Sequence, residues 1–534
     1  MNVDMLRLAG ALLLLLPATP AVAQTASETQ VAAPETLGQA IADAYRTNPS
    51  LEAQRAQLRA LDEQIVQAGA AYRLTAGVNM SLQYQSQDQR GLLGDFAVAR
   101  GRTMGARLTA SQILLNGGRT AAQVSAAEAT VLAGRERLRE AENAILLEVV
   151  DAFVSVRRDQ ALVAIQQRSL DSYGRQVTQA IARERGGDLT RTDIAQAQAQ
   201  REIIRAQLAQ ATVNLQASRG RFAAAVGRNP GALLVPPTLP GLPRSLDAAF
   251  VVVEKESPSL WQAILATKAG DARIAAQRAE RAPIVALSGG YGYGSPYTYQ
   301  VRDLGAQATG AVTLTMPLLT GGVIGSRVRA AVAERQQLGF EVETARRAAL
   351  TNAQNAWNQA VAGGEQMAAG QLATEAAESA LIGVQRGFAE GFRSNFEVLD
   401  SEQRLLTAQL VFVNATYGAY AAEARLLATL GRLQAAAIDQ AVPTYDPAQN
   451  TRRVRAKTFG PFDPLLAPID RAQVPSSAAG PAPRLAPATD TQIRPAIVRA
   501  LPGPLGTALP IVAVPILSGP AVADLSDTAV TGGG

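Results

Sequence analysis

Leu114-Leu115-Asn116-Gly117-Gly118 and, 204 positions later, Leu318-Leu319-Thr320-Gly321-Gly322 are the two stretches on which the fold turns. Each stands where one hydrophobic period gives way to another. Before the first, Met104, Ala106, Leu108 and Ala110 alternate with Gly105, Arg107, Thr109 and Ser111. Before the second, Val312, Leu314 and Met316 alternate with Ala311, Thr313 and Thr315. A period of two is that of a strand with one apolar and one polar face. After the first stretch no proline occurs until Pro230, and Val124, Val131, Leu138 and Ile145 recur at heptad spacing, with Ala127, Gly134 and Ala141 three places on. That is a coiled-coil seam whose small partners let helix axes approach closely. Gly117, Gly118, Gly321 and Gly322 therefore mark strand-to-helix junctions.

Working outward, the correspondence extends across most of the chain. At the same spacing of 204, Val124 is answered by Val328, Ala152-Phe153 by Ala356-Trp357, Gly187 by Gly391 and Gly227-Arg228 by Gly431-Arg432. Upstream the spacing is 209: Thr36-Leu37 matches Ser245-Leu246, Asn48-Pro49-Ser50-Leu51 matches Ser257-Pro258-Ser259-Leu260, and Asp62 and Ile65 match Asp271 and Ile274. The chain thus reads as an internal two-fold repeat. A constant offset from residue 114 to residue 228 is what a rigid packed rod demands. The five-residue difference falls in the strand region, where a connection tolerates it.

Each unit holds a helical hairpin. About 69 residues at 1.5 Å each run roughly 100 Å before Gly186-Gly187, and helix resumes near Thr190 to return to Gly227. The second unit repeats this from Gly322 to Gly391 and from Ser394 to Gly431. Each unit also carries a pair of strands. Val78, Met80, Leu82 and Tyr84 alternate with Asn79, Ser81, Gln83 and Gln85, while Val285, Leu287, Tyr291 and Tyr293 alternate with small residues. The expected division is a first repeat over 24–243 (strands about 76–115, helical hairpin about 118–228) and a second over 244–433 (strands about 284–317, helical hairpin about 322–432). The loops around Gln87 to Gly101 and Gly294 to Gly305 would be the outer tips.

Composition narrows the function. Residues 1–23 read as a signal peptide, with Arg7, the apolar run Leu8 to Leu16 and Ala21-Val22-Ala23 before Gln24. The chain has no Cys and no His, which removes disulfides, thiolate metal sites and the commonest general base. No nucleophile elbow, metal cluster or phosphate loop is present, so no catalytic, metal or cofactor site is expected. The net charge of +5 is small for 534 residues and the basic residues are scattered among acids, which gives nucleic-acid binding no support. After residue 23 no run of about twenty apolar residues could span a membrane as a helix, so any membrane contact comes from the strands. Four strands cannot close a barrel, for which about eight are needed, and lipid does not tolerate an open sheet edge. The chain must then oligomerise. The competing reading is a non-transporting, outer-membrane-anchored coiled-coil scaffold or adhesin, whose membrane strands would usually sit together at one terminus rather than in both repeats.

From Thr36 to about Leu433 the chain resembles the TolC-like outer-membrane efflux and type I secretion family. The resemblance is carried by Leu37, Ala40 and Asn48-Pro49, the paired Leu-Leu-x-Gly-Gly signatures, and two periplasmic turns, Gly187 to Asp193 and Gly391 to Asp400. It implies a mainly α protein with membrane β: a homotrimer whose helical hairpins form an α-barrel across the periplasm and whose strands, four per chain, form one 12-stranded outer-membrane β-barrel. It also implies partnership with a periplasmic adaptor and an inner-membrane transporter, an RND pump or an ABC exporter, with outer-membrane lipid around the strands.

By the same resemblance, Glu397 and Asp400 match carboxylates that ring the tunnel's periplasmic constriction, and Arg393 matches a residue that ties its turn to the partners Thr192 and Asp193. Ser394-x-x-Glu397 and Thr190-x-x-Asp193 are equally capping-box patterns. Phe388 stands where relatives often carry a Tyr that adds a hydrogen bond to this lock. The run Asn116 to Thr120 resembles the branch often tied to secretion. Tyr445-Asp446-Pro447 resembles a segment that returns along the outside of the helical barrel, giving a return segment over 434–460. Arg452, Arg453 and Arg455 read either as a solvated basic run or as partners for acids there. The Pro- and Ala-rich tail over 461–534 reads as disordered.

Overall fold

The computed structural model describes residues 34–90, 96–295, 299–438, 442, 444–457 and 463–476. The expected signal peptide, the tips of both outer loops and the tail beyond residue 476 lie outside them.

The first half opens with β1 (Pro34–Glu35), α1 (Leu37–Thr47) and α2 (Pro49–Gly69). Local chemistry sets these bounds. The Thr36 hydroxyl accepts the Gln39 N–H while the Gln39 side chain accepts the Thr36 N–H, a reciprocal cap. The Asn48 carboxamide accepts the N–H groups of Ser50 and Leu51, and Pro49 occupies the first helical position, where its missing donor costs nothing. Strands β2 (Thr75–Arg90) and β3 (Phe96–Leu115) follow, then α3 (Arg119–Arg185) and α4 (Arg191–Val226). A short strand β4 (Ala232–Leu233) pairs with β1 in parallel. There Arg228 forks onto both oxygens of Glu35, at 2.8 and 2.9 Å, and reaches Asp43 at 2.9 Å, which pins the end of α4 to α1.

The second half returns the same order: α5 (Leu246–Glu256), α6 (Pro258–Ala279), β5 (Ile284–Ser295), β6 (Gly305–Thr315), α7 (Val323–Ala389) and α8 (Asn395–Thr429). Helices α3 and α7 are each 67 residues long, about 100 Å of rod. Three further helices close the described chain: α9 (Ala435–Ile438), α10 (Ala448–Lys457) and α11 (Asp463–Ala472).

The four long strands form one antiparallel sheet in the order β2-β3-β5-β6, so two hairpins meet through β3 and β5 and both outer edges stay open. The core lies elsewhere, along the helices. Val131, Leu138, Ile145, Val149, Phe153 and Val156 of α3 are buried against α1, α2 and α4, which is the heptad seam. Small residues set the helix spacing. A Cβ on Gly134 would stand 2.6 Å from Leu61 of α2, whereas in the second half Gly270 of α6 faces Leu338 of α7. The notch and the knob have changed helices. In α7, Gly363 and Gly370 lie one heptad apart, and a Cβ on either would come within 3.0 Å of the α8 backbone, at Ala419 and Phe412.

The chain after the second unit departs from expectation in the stretch read as disordered. Arg455 pairs with Glu128, and Arg452 with Asp446. On α10, Asn450 and Thr451 both donate to buried Asp62 of α2. Residues 463–472, within the stretch read as disordered, form α11, which packs on α3 and β3. Its Asp470 is buried and satisfies the start of α3, and that anchoring outweighs Pro468, which otherwise discourages helix.

Candidate functional site: the four-stranded sheet and the hairpin tips

Register decides what each face of the sheet presents. Val78 pairs with Leu108, Leu108 with Tyr291 and Tyr291 with Ala308; one row on, Met80, Ala106, Tyr293 and Ala306 align. Cross-strand partners share a face, so these rows form an apolar band with Leu82, Leu287, Val312 and Leu314. Its members are exposed, Met80 by 80%. The other face carries Asn79, Arg107 and Gln307 in one row, and Arg107 donates to Gln307 at 2.8 Å across Gly292. A Cβ at Gly292 would lie 2.3 Å from the Ala106 carbonyl oxygen, so only glycine lets this polar row close. One face suits hydrocarbon and the other water.

The junctions are where the sequence places them. Gly117, Gly118, Gly321 and Gly322 all have positive φ, from 57° to 82°, a conformation that disfavours side chains. Their surroundings differ. Gly117 is sealed by Ala282, whose Cβ would be 2.0 Å from an added one, and Gly118 by the backbone of Val474; nothing lies within 4 Å of Gly321 or Gly322. The preceding leucines follow suit: Leu114 and Leu115 are half-buried, while Leu318 and Leu319 are 84% and 97% exposed.

At the far end of the hairpins Gly187 and Gly391 turn the chain with φ of 86° and 83°. Both capping boxes form. Thr190 and Ser394 accept the N–H groups of Asp193 and Glu397, and the two carboxylates accept back from the Thr190 and Ser394 backbone. Those bonds, with the Thr190 hydroxyl, hold the Asp193 carboxyl below its ordinary range. Glu397 also meets Arg393 at 3.5 Å, and Asp400 meets Arg404 at 2.9 Å. Thr192 is exposed on the first turn of α4. Among the described residues of a single protomer, Arg393 and Asp193 thus each keep a partner in their own unit. A contact that does join the two tips is another: the Arg183 guanidinium of α3 lies 4.3 Å from the ring centre of Phe388 on α7, a cation–π geometry. Phenylalanine without a hydroxyl still supplies a partner there.

Sequence reasoning missed the acids buried between elements. Glu402 of α8 is raised above the ordinary carboxylate range by burial against α3, where the Ser172 hydroxyl donates to it. Asp470 accepts the N–H groups of Gly118 and Ala121 and the Tyr72 hydroxyl, at 2.8 to 2.9 Å. Asp463-Pro464, an N-terminal helix signal, was the local sign of α11.

A sheet with one lipid-suited face, carried on paired rods about 100 Å long, defines an outer-membrane channel wall with a periplasmic extension. The chain belongs to the family described as outer membrane efflux protein, whose model matches residues 40–228 and 252–432. It is 29% identical over 433 residues to outer membrane efflux protein BepC of Brucella suis biovar 1 (strain 1330), covering 81% of this chain and 93% of that one. It is 23% identical over 336 residues to alkaline protease secretion protein AprF of Pseudomonas aeruginosa, covering 61% and 69%. Among solved structures, the Campylobacter jejuni CmeC outer membrane channel matches with a TM-score of 0.67 at 13% identity, over 80% of this chain and 90% of that one. The protein is an outer-membrane export channel component that extends into the periplasm.

Proposed function

We propose that three copies of the chain enclose one passive duct across the outer membrane and periplasm, gated at the hairpin tips. The observation that carries this is the unequal burial of equivalent junctions. Within one chain, β3 pairs with β5 and the Ala279–Ala282 corner after α6 seals Gly117. The residues 209 positions earlier, Ala70 to Arg73, are the corresponding corner of the first unit. A neighbour's corner would seal Gly321 and cover Leu318 and Leu319, while its β2 edge pairs with the open β6. The two separate family-model matches support reading the halves as copies of one unit. Three times four strands then make a 12-stranded barrel, and six hairpins make the tunnel.

Glu397 and Asp400, three apart at the start of α8, lie on one side of that helix, so three protomers would offer about six carboxylates at the constriction. In the assembled ring, Arg393 engages Thr192 and Asp193 of the opposing turn, and loss of those ties lets the tips part. The duct works without local chemistry; a periplasmic adaptor and an inner-membrane transporter, an ABC exporter or an RND pump, deliver small molecules or unfolded polypeptides to it. The likeness to AprF, named for protease secretion, supports the polypeptide branch.

Purified protein in planar bilayers should give discrete, cation-preferring conductances. Glu397→Gln with Asp400→Asn should lower the ratio of cation to anion permeability at least two-fold, as expected where a ring of like charge sets the local ion concentration. Silence from assembled protein in the bilayer would defeat the reading.

A further inference from the structure

Helix α11 is amphipathic in the wrong sense for a helix bathed in water. Its Asp470 points inward and is 2% exposed, whereas Leu465 and Ile469, one turn apart, point outward and are 66% and 49% exposed, with Arg471 also exposed in the last turn. A water-facing helix presents the reverse, and contiguous exposed apolar surface marks an interaction site.

Position identifies what this face meets. Asp470 fastens α11 to Tyr72 and to the N-terminus of α3, and Gln112 of β3 donates to the Tyr72 carbonyl at 2.8 Å. The helix therefore lies at the foot of the sheet, where the strands end. The next residues of the chain lead into the apolar band: Leu74, 56% exposed, is in the same alternation as Val78, Met80 and Leu82. The apolar face of α11 thus stands at the level where that band begins.

A second copy is not the occupant this geometry favours. The open edges are β2 and β6, whereas α11 packs mainly on α3 and on β3, inside the strand order, and touches the turn before β2 through Tyr72 and Arg73. From α11 the chain continues to Ser476, whose carbonyl accepts a hydrogen bond from Arg278 of α6, so the segment crosses the middle of the protomer.

We propose that α11 is an interfacial helix that seats Leu465 and Ile469 in the periplasmic leaflet of the outer membrane and fixes the depth of the barrel in the bilayer. This rests on reading the sheet as the channel wall, and the test separates the two. The chain contains no cysteine, so a spin label introduced at one position reports without background. Full-length Ile469→Cys, Leu82→Cys and Arg191→Cys would be labelled and reconstituted in vesicles of phosphatidylethanolamine and phosphatidylglycerol. Collision with oxygen, which concentrates in lipid, would be compared with collision with a water-soluble nickel chelate. Arg191, at the hairpin tip with a side chain 96% exposed, is the aqueous reference, and Leu82 the lipid reference. The expected result is an oxygen-to-nickel ratio at 469 several-fold above that at 191 and close to that at 82. A ratio at 469 equal to that at 191, with 82 in lipid, overturns the proposal and leaves the channel wall standing. Poor access to both reagents at 469 also overturns it, in favour of a protein cover. An aqueous signal at 82 overturns the channel wall and the proposal together.

Discussion

Glu402 shows how one residue couples burial to pH in this molecule. Its carboxyl is buried between α8 and α3 and titrates above the ordinary range, so the folded state binds a proton that the unfolded chain has already released. Stability accordingly falls as pH rises from the ordinary carboxylate value through the raised one, and the penalty is constant above that. Glu402→Gln retains an acceptor for the Ser172 hydroxyl and removes the buried charge. It should raise Tm at pH 7 by roughly 1–2 °C, with the gain shrinking on acidification as the wild-type group protonates. A gap that widens at low pH would contradict this. Residues of this kind are illegible in sequence because their environment is made by partners far along the chain: Ser172 for Glu402, Asn450 and Thr451 for Asp62, Gly118 and Tyr72 for Asp470. Glu397 and Asp193 were legible because a capping box is written within four residues.

At the scale of elements, periodicity carried the reading. The strands and long helices were legible because a period of two or of a heptad is a local signal repeated many times, and positive-φ glycines mark the ends of α4 and the junctions before α3 and α7. Helix α11 was not, because Pro468 reads as a breaker and the start signal Asp463-Pro464 stands in a Pro- and Ala-rich stretch. Pro464 sits in the first turn, where no donor is needed, and Pro468 forgoes one intrahelical bond that the anchoring of Asp470 offsets. Helix spacing gives a prediction from two adjacent glycines of α7. Gly363 faces the α8 backbone at 3.0 Å, whereas Gly364 has nothing within 4 Å. Gly363→Leu should destabilise the α7–α8 hairpin by about 1–3 kcal/mol through overpacking, while Gly364→Ala should stabilise it by up to about 1 kcal/mol through helix propensity. Hydrogen exchange along α7 and α8 reads both, and equal effects at the two positions would refute the close-packing account.

For the whole molecule, the governing fact is a sheet that ends in two bare edges with an apolar face that water cannot solvate favourably. Among the described residues no helix is long and apolar enough to cross a membrane; on the proposed reading the strands span the bilayer and three chains share one wall. The number of copies was beyond the reach of periodicity, which counts strands in a chain but not chains in a barrel; the proposed three comes from the family resemblance, and the bare β6 with its exposed Leu318-Leu319 supports only that a neighbour's β2 and Ala70–Arg73 corner completes the wall. The mass of the detergent-solubilised protein, by native mass spectrometry after the micelle is stripped, tests this most directly. The account predicts a species of three chains that needs detergent to stay in solution, split into monomers by charged substitutions at Leu318 and Leu319; a stable monomer that stays soluble without detergent would contradict it.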